Sequence, residues 1–208
     1  MIDSEKCEKS RILKVFLLKA ALNGWNEKSL DQAISDLRLD EMDKLREFPG
    51  GISEIVDYFG IWSDQRMIST LNQMTLSDMR VRDRIHSCVK LRLQINKNYR
   101  ESIRRLLPYL SLPMNSMLGF RLCWRTSSEI WYASGDRSTD WNYYSKRALL
   151  ASVYSATIMF WLSDEPDDTG DYPETWMFLE RRIQNILDTF RLPQYFKNFL
   201  NCNSQKTG

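Results

Sequence analysis

A chain of 208 residues that is 43% hydrophobic and 27% charged has the apolar content for a core, which excludes a disordered polymer. Its 29 Lys and Arg stand against 27 Asp and Glu, a formal charge of +2, so overall charge gives no sign of nucleic-acid binding. Eight Gly and six Pro are few for an all-β chain of many tight turns.

Helical periodicity runs through nearly the whole sequence. The first helix is expected over Glu5–Asn23, with Ile12, Val15, Phe16 and Ala20 inward, Gly24 closing it and Trp25 plugging the corner. Asn26 reads as the N-cap before a second helix over Ser29–Leu37, and a short third helix spans Asp40–Arg46. Pro49-Gly50-Gly51 then breaks the chain, so the first fifty residues have a helix-turn-helix outline. A long fourth helix follows over Ile52–Met74, then a turn at Leu76-Ser77-Asp78 and a fifth helix carrying Val81, Ile85, Cys88 and Leu91. A sixth, Arg100–Tyr109, is expected to end near Pro108, and a seventh spans Met114–Ala133. After a turn at Ser134–Ser138, an eighth helix from about Asp140 to Leu162 carries small residues at Ala148, Ala151, Ser152, Ser155 and Ala156. An acidic loop, Ser163–Asp168, leads to a ninth helix opened by Pro173, with Trp176, Leu179, Ile183, Ile186 and Phe190 in a stripe. The tail places Leu192, Tyr195, Phe196, Phe199 and Leu200 at i, i+3, i+4, i+7 and i+8, an amphipathic pattern that suits either the core or a membrane interface.

Parts for catalysis are missing from the pattern. Cys7, Cys88, Cys123 and Cys202 are too far apart for a zinc motif or a disulfide framework and read as reduced thiols. His86 is the single histidine, and no P-loop, G-x-G-x-x-G or H-E-x-x-H occurs. Asp164, Glu165, Asp167 and Asp168 lack calcium-loop spacing and read as a solvated loop. No metal or cofactor is expected, and the sequence argues against an enzyme. The first residues resemble neither a signal peptide nor a transit peptide, and no apolar run reaches the length of a membrane span. The third helix sets Asp40, Glu41, Asp43 and Glu47 against Lys44 and Arg46, a net-negative segment that phosphates should repel, so DNA binding is not expected. Basic density lies instead between Arg80 and Arg105, readable as a solvated face or as a surface for anionic headgroups or an acidic partner.

The run GDRSTDWNYYSKRALLASVY, residues 135–154, resembles the ubiquinone (coenzyme Q) biosynthesis accessory lipid-binding family, that of the ninth protein of the yeast coenzyme Q set. TWMFLERRI, residues 175–183, and the Gly24-Trp25 corner with the helices after it resemble the same family, whereas residues 60–113 match it weakly. The resemblance implies an all-α, TetR-like helical bundle that binds lipid rather than DNA. It also implies a homodimer, a cavity for an isoprenoid lipid or quinone intermediate between the C-terminal helices, a peripheral hold on the membrane surface and a partner, the demethoxyubiquinone hydroxylase. The hydroxylase contact carries over onto Asp140, Tyr143, Tyr144 and Arg147, with Tyr143 standing where the family often has Trp. By pattern the cavity lining is assigned to Met117, Leu118, Leu122, Trp131, Val153, Trp176 and Leu179. The membrane segment falls on Tyr195, Phe196, Phe199 and Leu200, after a shorter linker than the family has. The organisation expected is a helix-turn-helix-like region (1–50), a lipid-binding and dimerisation region (51–191) and the amphipathic tail (192–208). The location implied is the bacterial cytoplasm with peripheral inner-membrane association, or the matrix side of a mitochondrion. A ligand-responsive TetR-type repressor is the competing reading, and a ligand-free helical dimer a third. Two finer expectations follow from periodicity. The dimer should use the small-residue face Ala148, Ala151, Ser155 with the Trp176–Phe190 stripe, and the stripe through Trp141 and Tyr144 should leave Tyr143 the more exposed tyrosine.

Overall fold

The computed structural model describes residues 7–74, 79–136 and 141–186, and all regular structure among them is helical. The helices are α1 (Glu8–Asn23), α2 (Glu27–Asp36), α3 (Glu41–Glu47), α4 (Gly51–Leu71), α5 (Val81–Gln94), α6 (Arg100–Ser111), α7 (Ser116–Ala133) and α8 (Trp141–Ser163). A 3₁₀ turn, Lys97–Tyr99, joins α5 to α6, and α9 is helical over 173–186.

Local chemistry sets most of these boundaries. Gly24 ends α1 at φ 84°, a backbone angle that side-chain-bearing residues rarely adopt. The Asn26 side chain accepts the Ser29 amide and caps α2. At α3 the Asp40 carboxylate accepts the Asp43 amide while the Asp43 carboxylate accepts the Asp40 amide, a reciprocal capping box. The sixth helix does not stop at Pro108 but continues to Ser111. Proline frees the carbonyl four residues earlier, at Arg104, and that residue is solvent-exposed, so the freed carbonyl is open to solvent at little cost.

α1 lies against α2 and α6, and α4 runs beneath α7, which pairs in turn with α8. Ile12, Phe16 and Ala20 of α1 join Leu30 of α2, Ile55 and Phe59 of α4 and Leu106 of α6 in one core. Trp25 does plug the corner: its ring meets Phe16 edge-on at 5.1 Å and its indole N–H donates to the Ser102 carbonyl, 2.7 Å away. Gly60 lets α4 approach α7 closely, since a Cβ there would stand 2.7 Å from Leu122 Cδ2 and crowd the Arg125 guanidinium. The α9 stripe Trp176, Leu179, Ile183 and Ile186 is buried within the chain itself, while Phe190 lies outside the described residues. That stripe is therefore not a free dimer face: α5 occupies it, through His86 near the Trp176 carbonyl, Lys90 over the Trp176 ring and Arg82 donating to Gln184.

Candidate functional site

α4 through α8 enclose a cavity of about 170 Å³. Phe59, Leu93, Ile103, Leu106, Leu107, Leu110, Leu122, Ile158 and Met159 give it an apolar lining, joined by Gly60, Gly119, Cys123 and Ser155. One wall is polar, formed by Arg92, Asn96, Thr126 and Tyr154. Arg92 is 5% exposed and donates through Nε to Asp64 Oδ1 at 2.8 Å. Asp64 is 3% exposed and also accepts from the Thr126 hydroxyl at 2.9 Å. Arg125 joins the cluster, donating to Asp57 Oδ1 at 2.9 Å and standing 3.6 Å from Asp64 Oδ2. Every charge in this low-dielectric pocket faces an opposite one, the condition for keeping buried ions ionised. Burial pushes the Tyr154 phenol up to about 12, so it stays a neutral O–H donor.

Of the expected lining residues, Leu122 faces the cavity and Leu118 packs on the core nearby. Met117 is 72% exposed at the start of α7. Trp131, Val153, Trp176 and Leu179 are core residues on other walls: the Trp131 indole donates to the Lys146 carbonyl and that of Trp176 to Asp171 Oδ1. The lining residues that sequence reasoning missed lie on α4, α5 and α6 and also on α7 and α8, Thr126 and Tyr154 among them. The signal for them was Asp64 and Arg92, two charges set in otherwise apolar helical positions.

A second feature lies on the outer face of α7 and α8. Phe120 stacks on Trp124 (5.9 Å), Trp124 on Tyr144 (6.3 Å), and Tyr144 meets Tyr143 edge-on (5.1 Å). Tyr144 is 57% exposed, and Phe120 and Met159 are exposed with it. The stripe expectation is thus reversed. α8 turns Arg147, Leu150, Tyr154, Thr157 and Trp161 inward, which carries Tyr143 half under cover and leaves Tyr144, Ala148 and Ser152 outward. Arg147 is buried, its guanidinium 3.4 Å from the centre of the Tyr143 ring and paired with Asp136 at 3.3 Å. Its place is beneath the surface, holding Tyr143. Ala151 is buried, so the small-residue face available outside is Ala148 and Ser152. Asp140 and the tail residues Tyr195, Phe196, Phe199 and Leu200 lie outside the described residues.

The basic stretch 80–105 is neither a bare solvated face nor a uniform cationic patch. Arg92 is inside. Arg100 donates to the carbonyls of Trp161, Leu162 and Asp164, capping the C-terminus of α8. Lys97 donates to the Gly170 carbonyl, Lys90 pairs with Asp171, and Arg84 reaches the carbonyls of Met79 and Ser134. Arg104 and Arg105 pair with Glu101, leaving Arg80 exposed at the start of α5. These cations hold the α8–α9 loop to α5 and α6. The acidic loop is likewise occupied: Asp164 accepts the Thr175 amide and hydroxyl at the head of α9, and Asp167 accepts from Thr169 and Asp171. Among the described residues no three His, Cys, Asp or Glu side chains gather as a metal site.

The COQ9 family model matches residues 117–189, which hold α7, α8 and α9. The human "Ubiquinone biosynthesis protein COQ9, mitochondrial" is 28% identical over 193 residues, covering 89% of this chain and 59% of the human protein. The Schizosaccharomyces pombe protein of the same description is 26% identical over 189 residues, covering 88% of this chain and 74% of its own length. The chain thus spans about three fifths of the human relative. Among solved structures, a TetR transcriptional regulator from Nitrosomonas europaea superposes with a TM-score of 0.70 at 18% identity, over 88% of this chain and 99% of that one. That likeness speaks to the fold. The C-terminal helices thus resemble the COQ9 family and most of the sequence is similar to COQ9 proteins, on a TetR-like all-α bundle.

Proposed function

We propose that this protein is a non-catalytic accessory factor of ubiquinone biosynthesis that holds an isoprenoid lipid or quinone intermediate in the α4–α8 cavity. It offers that ligand to a partner enzyme, the demethoxyubiquinone hydroxylase. The observation that carries the reading is an apolar cavity with a charge-balanced polar wall in a chain whose C-terminal helices match the COQ9 family model. Keeping hydrocarbon from water is worth about 0.8 kcal/mol per CH₂, so an apolar lining can hold a polyprenyl segment that has left a bilayer. The exposed aromatic face around Tyr144, Trp124 and Phe120 is the best-suited docking surface, because rigid aromatics make strong interface anchors. A homodimer would use the neighbouring outward face of α8 at Ala148 and Ser152. Residues 1–50 act as a helix-turn-helix-like cap without a DNA role, and 192–208 as a peripheral membrane contact. No described helix is long and apolar enough to cross a membrane, which suits peripheral association in a bacterial cytoplasm or on the matrix side of a mitochondrion. The experiment is native mass spectrometry of the purified protein: a retained isoprenoid or quinone lipid supports the reading, and a ligand-free chain that gains none from vesicles removes it.

A further inference from the structure

No acidic residue stands between Glu101 and Glu129, while Arg104, Arg105, Arg121 and Arg125 all fall inside that stretch. Among the described residues these arginines share few carboxylates. Arg104 and Arg105 both turn to Glu101, and Arg121 and Arg125 both turn to Asp57. Asp64, which Arg125 also approaches, is already paired with Arg92. The local balance is cationic, and Arg104, Arg105 and Arg121 are exposed.

In the middle of this stretch α6 turns into α7, and the corner is arranged opposite to a solvated loop. The Ser111 hydroxyl donates to the Leu107 carbonyl (2.8 Å), the Asn115 side chain to the Tyr109 carbonyl (3.0 Å) and the Ser116 hydroxyl to the Pro113 carbonyl (2.9 Å). The Asn115 backbone amide donates to the Leu112 carbonyl. The polar groups are thus spent on the corner's own backbone, and the apolar ones are left outside. Met114 is 84% exposed and Met117 72%, with Leu112 and Pro113 exposed beside them. A contiguous exposed apolar patch of this kind marks a contact surface.

The corner also joins two walls of the cavity. Leu110 of α6 and Gly119 of α7 both line it, and a Cβ on Gly119 would stand 3.5 Å from Leu110. Both residues are only partly buried, so the cavity comes to the surface beside the corner. The chemistry selects what covers this patch. Protein interfaces are anchored chiefly by Trp, Tyr and Arg, the character of the Trp124–Tyr144 face. Leu and flexible, unbranched Met suit a fluid hydrocarbon of no fixed shape, and surplus arginine suits anionic headgroups.

We propose that the α6–α7 corner is a bilayer contact. Leu112, Met114 and Met117 enter the acyl region of an anionic membrane, Arg121 and the α6 arginines draw in its headgroups, and the Leu110–Gly119 edge of the cavity faces the lipid. The contact stands on the corner's own chemistry and is separate from the tail; its use in loading the cavity rests on the lipid-holding reading above.

The test compares the full chain with two double variants, Met114→Glu with Met117→Glu at the corner and Phe196→Glu with Phe199→Glu in the tail. Each is sedimented with phosphatidylcholine vesicles carrying about one third phosphatidylserine. The proposal expects the corner variant to melt as wild type does, since both methionines are exposed, and to bind vesicles about tenfold more weakly. The tail variant should keep a measurable binding that the corner substitutions then remove. A wild type that ignores the vesicles, or a corner variant that binds them as wild type does, overturns the proposal. A corner variant that keeps vesicle binding but loses capture of the hydroxylase overturns it in favour of a protein surface. Should the corner variant melt lower, Met114→Ser with Met117→Ser must weaken binding at an unchanged melting temperature, and failure to do so also overturns it. Vesicle binding through the corner by a wild type that retains no lipid in native mass spectrometry upholds the contact and removes the lipid reading instead.

Discussion

The two ends of the molecule use their exposed residues in opposite ways. α3 buries none of its residues, and its cations are already taken: Lys44 bridges Asp31, Glu27 and Glu41, while Arg46 pairs with Asp43 and Glu47. The outer face of α7 and α8 instead shows Phe120, Tyr144 and Met159, beside a cavity with a buried ion pair. On a TetR-like bundle, the two cations of α3 are thus taken up by carboxylates of α2 and of α3 itself, while exposed apolar and aromatic surface gathers on α7 and α8.

The largest effect expected lies in the buried pair that distinguishes the C-terminal end. Asp64→Ala strands the Arg92 guanidinium and should destabilise by about 3–5 kcal/mol in denaturant unfolding, whereas Asp64→Leu with Arg92→Met should recover most of that. A single variant as stable as wild type would mean the cluster is wet rather than buried. Next comes the basic stretch. Arg100→Ala removes a charged cap shared among three carbonyls and should cost about 2 kcal/mol, while Arg80→Ala should change stability little. If both substitutions left the fold intact and weakened binding to anionic vesicles alike, the stretch would be a headgroup surface after all.

The aromatic face gives smaller changes in stability and a large one in binding. Tyr144→Ala should keep the melting temperature near wild type and weaken capture of the demethoxyubiquinone hydroxylase about tenfold. Tyr143→Ala, which uncovers Arg147, should destabilise the more of the two. The reverse order would restore the stripe expected from periodicity. The smallest effect belongs to α3: random duplex DNA at low salt should show no mobility shift, and tight binding there would favour the repressor reading.

How legible each part was in the sequence follows from its physics. Helix starts were readable because caps are local: Asn26 and Asp40 act within three residues of themselves. Pro108 misled because a proline in an exposed last turn loses little when the freed carbonyl is open to solvent. The inward face of α8 was misread because Trp141, Tyr144 and Ala148 form as good a stripe as Tyr143, Arg147 and Leu150, and a buried arginine reads as surface until Asp136 is brought to it. The cavity was half hidden for the same reason. Its apolar lining looks like any core stripe, and only the distant pairing of Asp64 with Arg92 and Thr126 marks where that core opens.

The central claim is that the α4–α8 cavity holds a lipid, and native mass spectrometry of the wild type beside Gly119→Leu tests it most directly. A leucine at 119, which lines the cavity and where an added Cβ stands an ordinary 3.5 Å from Leu110, should fill it. The account predicts a retained isoprenoid or quinone lipid in the wild type and its loss in the folded variant, judged by an unchanged helical circular-dichroism spectrum. Equal lipid occupancy in the two proteins would contradict it.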